Sequence, residues 1–155
     1  MSAATVPVFR PARPEDQTLI AKFQLAMAWE TEAMRLDAET CAEGVRAVFA
    51  RPALGRYHVA EQAGQVIGSL LIVPEWSDWR NGTVWWVHSV YLRPETRGQK
   101  IFGQFYRYVQ ELTRTTDGIR GLRLYVDRRN QHAQKVYRAL GMNNEHYELY
   151  EWMKD

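Results

Sequence analysis

One stretch of the chain constrains the fold more than any other. A run from Val84 to Leu92 is apolar on both faces, which is typical of a strand in the middle of a covered sheet. After a loop, a helical pattern presents one wide apolar stripe, made of Ile101, Phe102, Phe105, Tyr106, Val109 and Leu112. Alternation over Leu122–Val126 then predicts a further strand. Two neighbouring strands joined by a crossover helix must be parallel, so we expect a mixed α/β fold.

Patterns on either side extend this unit to the order β-α-α-β-β-β-α-β-α-β. Alternation predicts three more strands and a turn before the central one, and another strand at the end. They are an edge strand at Val6–Phe9, strands at Tyr57–Ala60 and Val66–Val73 with a turn at Ala63-Gly64, and a strand at Tyr147–Met153. Helices are predicted to begin at Pro14 and at Asp37, and another carries Ala133, Val136, Tyr137 and Leu140 with Gly141 just past its end.

Composition excludes several classes of protein. The 155 residues suit a single domain spanning residues 1–155, and a net charge of +2 is too small to predict nucleic-acid or membrane binding. The single cysteine excludes an internal disulfide and a multi-cysteine metal site, and the histidines lack metal-ligand spacing. No apolar run approaches the roughly 20 residues of a membrane helix. With no secretory signal apparent either, we expect a cytoplasmic enzyme or binding domain.

The loop from Arg93 to Lys100 is a candidate anion site. It joins the central strand to the striped helix, where the first helical N–H groups lack intrahelical partners. Gly98 allows close backbone approach, and Arg93, Arg97 and Lys100 place three cations where the helix dipole disfavours them. A bound anion would account for this placement, but from the residues alone a solvated basic loop is an equal alternative.

Two segments resemble one known family. Val90-Tyr91-Leu92-Arg93-Pro94-Glu95-Thr96-Arg97-Gly98 resembles the strand and loop that begin the signature motif of the GNAT superfamily of acetyl-CoA-dependent N-acetyltransferases, Arg/Gln-x-x-Gly-x-Gly/Ala. The run from Asn130 to Met142 resembles the family's second element, Asn-x-x-Ala-x-x-x-Tyr-x-x-Leu-Gly-Phe. The order of elements also fits the family over nearly the whole chain. The sequence departs from the motif at Lys100, which stands at its first glycine, and at Phe102, which stands at its Gly/Ala position.

The resemblance implies a central mixed sheet with antiparallel N-terminal strands, a splayed parallel strand pair and about four helices. It implies that acetyl-CoA, as co-substrate, lies between the separating strands Val84–Leu92 and Leu122–Val126. The cofactor-binding residues implied in this way are Val90, Tyr91, Leu92, Arg97, Gly98, Gln99, Lys100, Ile101, Phe102, Asn130 and Ala133.

Tyr137 corresponds to the family's usual general acid, which protonates the thiolate that leaves when an amine attacks the thioester. The structural alternative is a tyrosine packed on the apolar face of its helix, four residues after Ala133. Asn130 has a similar pair of interpretations. It contacts the pantetheine arm, or it caps the helix that follows, since Asn is a favoured N-cap.

The candidate base depends on a hairpin. Asn81-Gly82 predicts a two-residue type I′ turn, which would place Glu75 directly opposite His88, Ser77 opposite Trp86 and Trp79 opposite Val84. A carboxylate beside an imidazole raises the imidazole pKa and orients the ring. We therefore predict that Glu75 and His88 together deprotonate the acceptor amine. A satisfied polar contact in the sheet, or a bulge that breaks the register, is the alternative.

Aromatic residues with acids suit a cationic acceptor. The predicted acceptor-binding residues are Trp29, Glu30, Trp76 and Trp86, although alternation prevents all the tryptophans of this region from lining one pocket. The alternative is that several of them are core or dimer contacts.

The sequence thus predicts an N-acetyltransferase that moves an acetyl group from acetyl-CoA to a primary amine of a small molecule by direct attack. It leaves the identity of the acceptor and a homodimer open. The alternative is a non-catalytic acyl-CoA-binding or regulatory module with the same fold.

Overall fold

The computed structural model describes residues 5–155, and in that range the strands form one five-stranded sheet in the order β1-β2-β3-β4-β5. The strands are β1 Val8–Pro11, β2 Arg56–Gln62, β3 Gln65–Ser77, β4 Gly82–Leu92 and β5 Ile119–Arg123. Each neighbouring pair is antiparallel except β4 and β5, which are parallel. The predicted mixed α/β class is confirmed, including the parallel pair on either side of the crossover helix.

The α-helices of residues 5–155 are α1 Gln17–Glu32, α2 Ala38–Ala50, α3 Ile101–Thr115 and α4 Gln131–Ala139. Asp37 caps α2 as predicted, with its carboxylate accepting a hydrogen bond from the Thr40 amide at 2.8 Å. Pro14 opens a short 3-10 turn and not α1 itself. None of these helices is long and apolar enough to cross a membrane.

Strand alternation divides the apolar side chains between two layers. On one face of the sheet, α3 packs its stripe on Leu70, Ile72 and Val87. On the other face, Ile20 of α1 and Val45 of α2 pack on Tyr57 and Val59 of β2. The sheet is therefore covered on both sides, which explains why β4 is apolar on both of its faces.

The predicted two-residue turn at Asn81-Gly82 is wrong. A four-residue loop, 78–81, connects β3 and β4, and Ser77 pairs with Gly82. Asn81 does take a positive φ of 45°, but Gly82 is already the first residue of β4. Glycine is required at position 82 for packing, because a Cβ there would lie 2.9 Å from the carbonyl oxygen of Gly118, the residue just before β5.

The new register moves every predicted cross-strand partner. Glu75 lies opposite Val84, and His88 lies opposite Leu71, so the predicted Glu75–His88 pair is not formed. Trp86 is opposite Val73 and not Ser77, and Trp79 lies in the loop rather than opposite Val84.

Two further strand predictions need correction. Pairing of β5 with β4 begins at Ile119 and ends at Arg123 opposite Trp86, so β5 has the same length as the predicted Leu122–Val126 but begins three residues earlier. The predicted final strand at 147–153 is not formed. In residues 5–155 this exposed segment pairs with no strand of the sheet.

Candidate active site

The centre of the site is a gap between β4 and β5. Their pairing stops at Trp86 and Arg123, although β4 continues to Leu92. Directly beyond this point β4 has a bulge, in which Ser89 and Val90 together face Leu70 of β3, and Ser89 takes a φ of 54°. A bulge bends its strand and increases the local twist. The β4 main chain after Trp86 thus faces a gap with no strand partner from β5, as the resemblance implied.

At the end of β4, the loop before α3 exposes backbone donors. Gly98 has a φ of 79°, and a Cβ placed on it would meet nothing within 4 Å, so the space beside it is open. Asn130 and Asp37 cap their helices with side chains, but the N-cap of α3, Lys100, makes no such bond. The first N–H groups of α3 therefore lack a side-chain acceptor, which suits them to an anion.

Lys100 itself adopts a left-handed conformation with a φ of 62°. This conformation costs a residue with a Cβ about 1–2 kcal/mol, and glycine adopts it freely. The position therefore has the backbone that the family's motif glycine would provide, although lysine stands there. We find no contact among the described residues that explains the substitution.

The Arg97 side chain is engaged by the protein itself. Its Nε donates to the Leu92 carbonyl oxygen at 3.0 Å, and a terminal nitrogen pairs with the Glu30 carboxylate at 2.7 Å. The guanidinium also lies 5.5 Å from the ring centroid of Tyr91. Arg97 thus anchors the loop to the end of β4 and to α1, and the main-chain carbonyl of Leu92, an implied cofactor-binding residue, already accepts a hydrogen bond from this side chain.

The Tyr137 hydroxyl lies 3.0 Å from that of Tyr106. Both phenols have a pKa raised by burial, and that of Tyr106 is raised well above its usual range. Phe102 packs on both rings, with centroid distances of 4.9 Å to Tyr106 and 6.1 Å to Tyr137. The departure from the family motif at Phe102 therefore has a packing role, and it joins the first turn of α3 to the two tyrosines.

Asn130 acts as the N-cap of α4, since its side-chain oxygen accepts from the Ala133 amide at 3.1 Å. The capping interpretation is thus confirmed, and contact with a pantetheine arm stays a prediction. Ala133 is buried, at 3% exposure.

Glu75 has partners other than His88. One carboxylate oxygen accepts from Arg123 at 2.7 Å, and the other accepts from the Trp86 indole N–H at 3.0 Å. The His88 ring stacks parallel to that of Trp86, at a centroid distance of 6.0 Å, and packs beside Tyr125 at 5.3 Å. Burial lowers the pKa of His88, contrary to the rise expected from a carboxylate partner.

The predicted acceptor residues lie in different places. Trp86 belongs to the aromatic group with His88 and Tyr125, on the sheet face that Glu75 also occupies. Trp76 is the next residue after Glu75 in β3, so it points to the opposite face and is 64% exposed. Trp29 lies near the end of α1 with Arg35 over its ring, and Glu30 is held by Arg97.

Three residues at the site were missed by sequence reasoning, namely Tyr106, Arg123 and Tyr125. Tyr106 was assigned to the core stripe of α3, and only its distance to Tyr137 distinguishes it. Arg123 and Tyr125 are two residues apart in an extended segment, so their side chains share a face. Which residues they contact depends on the register between β4 and β5.

The strand gap and the helix start without a side-chain cap, together with two phenols packed on the first turn of that helix, match the arrangement that the resemblance implied. A family model of the acetyltransferase (GNAT) family matches residues 16–142. The chain therefore belongs to the GNAT acetyltransferase family, as its motifs indicated.

Solved structures agree with this membership. A possible acetyltransferase from Clostridium difficile 630 is 35% identical, with a TM-score of 0.89 over 97% of this chain and 99% of that one. A predicted acetyltransferase with acetyl-CoA from Clostridium acetobutylicum is 19% identical, with a TM-score of 0.71 over 94% and 96% of the two chains. Glucosamine-6-phosphate N-acetyltransferase from Arabidopsis thaliana is 14% identical, with a TM-score of 0.70 over 96% and 99%. The last two show the fold alone. A search of curated proteins gave no match.

Proposed function

We propose that this protein transfers an acetyl group from acetyl-CoA to a primary amine of a small molecule by direct attack. The observation that carries the proposal is the hydrogen-bonded pair of Tyr137 and Tyr106 beside Phe102, in the first turn of the helix that begins at the candidate phosphate loop. A phenol held at this position can donate a proton to the sulfur of a thioester bound along β4.

The backbone of the loop and of α3 would hold the pyrophosphate. Gly98 and the first N–H groups of α3, on Ile101 and Phe102, are the donors available there. Lys100 adds a cation at this position, and Gln99 lies between it and Gly98. Arg97 contributes by fixing the loop rather than by its own charge, since its guanidinium is bonded to Leu92 and Glu30.

In the reaction, the amine nitrogen attacks the acetyl carbonyl carbon. The new C–N bond forms as the C–S bond breaks, so that sulfur leaves with the electron pair and the nitrogen must lose a proton. Tyr137 donates its proton to the sulfur. Burial keeps the pKa of Tyr137 above its usual range, so the phenol is protonated at neutral pH and able to donate.

His88 is the base that we propose for the amine. It lies one residue before the bulge, at the point where β4 and β5 have just separated. Burial lowers its pKa, so the imidazole is neutral at pH 7 and can accept a proton. Glu75 acts indirectly, because its bonds to Trp86 and Arg123 hold the ring on which His88 stacks.

The aromatic surface beside His88 supports an amine acceptor. Trp86 and Tyr125 present rings that favour a cation through their faces. The Glu75 carboxylate is paired with Arg123, so the rings rather than a free acid provide this attraction. Trp29, Glu30 and Trp76 stay predicted acceptor contacts.

Release of free thiol from acetyl-CoA, measured against a panel of primary amines, tests the activity. We expect release with at least one small amine and stabilisation of the protein against heat by acetyl-CoA. Stabilisation without thiol release on any acceptor would favour the non-catalytic acyl-CoA-binding module.

The base is tested by the pH dependence of kcat/KM for wild type, His88→Ala and Glu75→Gln. Wild type should lose activity as the pH falls through the depressed pKa of His88, below the ordinary value of 6.5. This limb should vanish in His88→Ala and persist in Glu75→Gln. Ionisation of the amine is common to all three enzymes, so only the difference between them is interpreted. An unchanged acid limb in His88→Ala would exclude His88 as the base.

A further inference from the structure

Glu30 of α1 places an acidic side chain in direct contact with the candidate phosphate loop, residues 93–100. Its carboxylate lies 2.7 Å from a terminal nitrogen of Arg97. A negative charge beside a bound polyanion repels it, and this acid also pairs with a cation that could otherwise bind a phosphate. Through its charge, Glu30 therefore weakens the binding of a coenzyme at this loop, and its placement needs another physical reason.

Arg97 is the residue that ties the second half of the loop to the rest of the protein. Arg97 and the three residues after it are exposed. In residues 5–155, the Gln99 side chain bonds only within the loop, to the carbonyl oxygen of Glu95. Arg97 instead reaches the Leu92 carbonyl oxygen of β4 and the Glu30 carboxylate of α1. The loop has little packing of its own here, so the bonds of Arg97 fix its position.

Two buried rings support the same contact. The Arg97 guanidinium lies 5.5 Å from the ring centroid of Tyr91, and the ring of Phe23 in α1 lies 4.9 Å from that of Tyr91. The Arg93 guanidinium, at the other end of the loop, lies 5.8 Å from the Phe23 centroid. Each of these two arginines therefore lies against a ring that is shielded from water, where cation–π attraction is strongest.

One face of α1 meets both ends of the loop. Phe23 and Glu30 are seven residues apart, so they lie about two turns apart on the same side of the helix. Phe23 contacts Arg93, and Glu30 contacts Arg97. A loop that is held in place before its ligand arrives loses less conformational entropy on binding, which strengthens binding.

We propose that Glu30 is a positioning residue for the coenzyme, which holds the loop 93–100 from α1 and so increases its affinity for acetyl-CoA. The inference rests on the proposed acetyl-CoA site, and it assigns Glu30 to the coenzyme loop in place of the predicted acceptor contact. The charge of Glu30 and its bond to Arg97 act in opposite directions. The bond prevails, because water and salt screen the longer interaction with phosphate charges more than a direct contact.

Isothermal titration with acetyl-CoA tests the sign of this effect. Glu30→Gln keeps the size of the side chain, and it should raise the acetyl-CoA dissociation constant about threefold to fivefold, the effect of losing a partly exposed ion pair. Simple repulsion would instead make this variant bind more tightly.

The matched control is Glu32→Gln, at an exposed acid two residues further along α1. It loses the same charge but not the contact with Arg97, so its constant should stay within about twofold of wild type. In the background of Arg97→Gln, where the pair is already broken, Glu30→Gln should no longer weaken binding. Both acids lie near the surface, so far-UV circular dichroism should show the wild-type fold in each single variant.

Two further readouts separate positioning from other roles of Glu30. Without ligand, the amides of residues 98–100 should exchange with solvent faster in Glu30→Gln than in wild type or Glu32→Gln. At saturating acetyl-CoA, the KM for the acceptor amine should not change in Glu30→Gln, whereas a direct acceptor contact would raise it.

Acetyl-CoA binding to Glu30→Gln that is as tight as in wild type, or tighter, would overturn the inference. So would unchanged exchange of residues 98–100, a loss of affinity that persists in the Arg97→Gln background, or an equal loss in Glu32→Gln. Failure of the wild-type chain to bind acetyl-CoA would instead overturn the proposed function, and this inference with it.

Discussion

At the scale of single residues, Tyr106 and Tyr137 differ in how the hydrogen bond between them changes the pKa of each phenol. Tyr106 is 1% exposed, and both burial and the neighbouring Tyr137 raise its pKa, so it stays protonated. In the proposed mechanism, its hydroxyl donates to the Tyr137 oxygen, 3.0 Å away. For Tyr137, this hydrogen bond opposes the rise in pKa that burial causes. In the proposed mechanism, Tyr137 is therefore the phenol that releases its proton, and Tyr106 stabilises the oxygen left behind.

This arrangement predicts graded losses of activity. Tyr137→Phe should lower kcat by about 10²–10⁴-fold, the usual contribution of a general acid. Tyr106→Phe removes one hydrogen bond, worth about 1 kcal/mol, and should lower kcat only about fivefold to tenfold. Both variants keep the ring that packs on Phe102. Steady-state kinetics measures kcat for each variant, and a binding titration measures its affinity for acetyl-CoA.

Equal losses in the two variants, with unchanged acetyl-CoA affinity, would contradict the assignment of roles. A loss confined to the affinity would show that the pair shapes the pocket and does not donate the proton.

The protonation of Tyr137 also predicts how activity depends on alkaline pH. Burial raises the pKa of Tyr137 above its ordinary value of 10.0, so Tyr137 stays protonated between pH 7 and 9 and loses its proton only as the pH rises through that raised pKa. Activity that depends on this proton should therefore not fall between pH 7 and 9.

At the scale of elements, glycines were the hardest residues to interpret. The pair Asn81-Gly82 has the residue types of a tight turn, yet position 82 needs a glycine because the chain at Gly118 and Arg120 passes close to it. This contact joins residues that are far apart in sequence, so no local pattern reveals it. One wrong turn shifted the register and removed the Glu75–His88 pair, because register decides which side chains meet. The caps at Asp37 and Asn130 were predictable, since capping depends on three neighbouring residues.

Gly68 provides the sharpest prediction for the sheet. It pairs with Leu92 at the end of β4, where an added Cβ would lie 2.5 Å from both the Tyr91 carbonyl oxygen and a Leu92 methyl group. Gly68→Ala should therefore lower the free energy of unfolding by about 1–3 kcal/mol, the usual cost of overpacking.

The matched control is Gly121→Ala in β5, where a Cβ would meet nothing within 4 Å. Chemical denaturation should show this variant within about 0.5 kcal/mol of wild type. Similar losses in the two variants would mean that strand glycines matter for backbone freedom and that the contact at Gly68 does not.

At the scale of the whole molecule, the sequence predicted the architecture because strand and helix patterns surround one crossover. The parallel pair follows from the order of elements, and the apolar run of β4 indicated a sheet covered on both faces. The predicted final strand at 147–153 was wrong because an alternating pattern shows which residues suit a strand but does not show whether a neighbouring strand will pair with them. The roles of Arg97 and Phe102 also lay beyond the sequence, since they depend on neighbours such as Glu30 and Tyr137 that only folding brings close.

Stability should depend on pH through one buried group. His58 is 2% exposed, its Nδ1 lies 2.9 Å from the Tyr108 hydroxyl, and burial lowers its pKa from 6.5 to about 4. The unfolded chain takes up a proton below pH 6.5 and the folded chain does not. The stabilisation is therefore fully present above pH 6.5 and is lost as the pH falls towards 4, which amounts to about 3 kcal/mol.

Urea unfolding at a series of pH values measures this dependence. His58→Gln should flatten the decline between pH 6.5 and 4, whereas the exposed His132→Gln should leave it intact. A decline that is equally steep in His58→Gln would assign it to other groups.

The central claim is that the gap between β4 and β5, with the loop before α3, binds coenzyme A. Isothermal titration of the wild-type chain with acetyl-CoA and with coenzyme A tests it at moderate salt. We predict saturable binding of both ligands at one site per chain. No heat with either ligand up to about 1 mM, the upper end of usual enzyme KM values, would contradict the claim and the proposed activity with it.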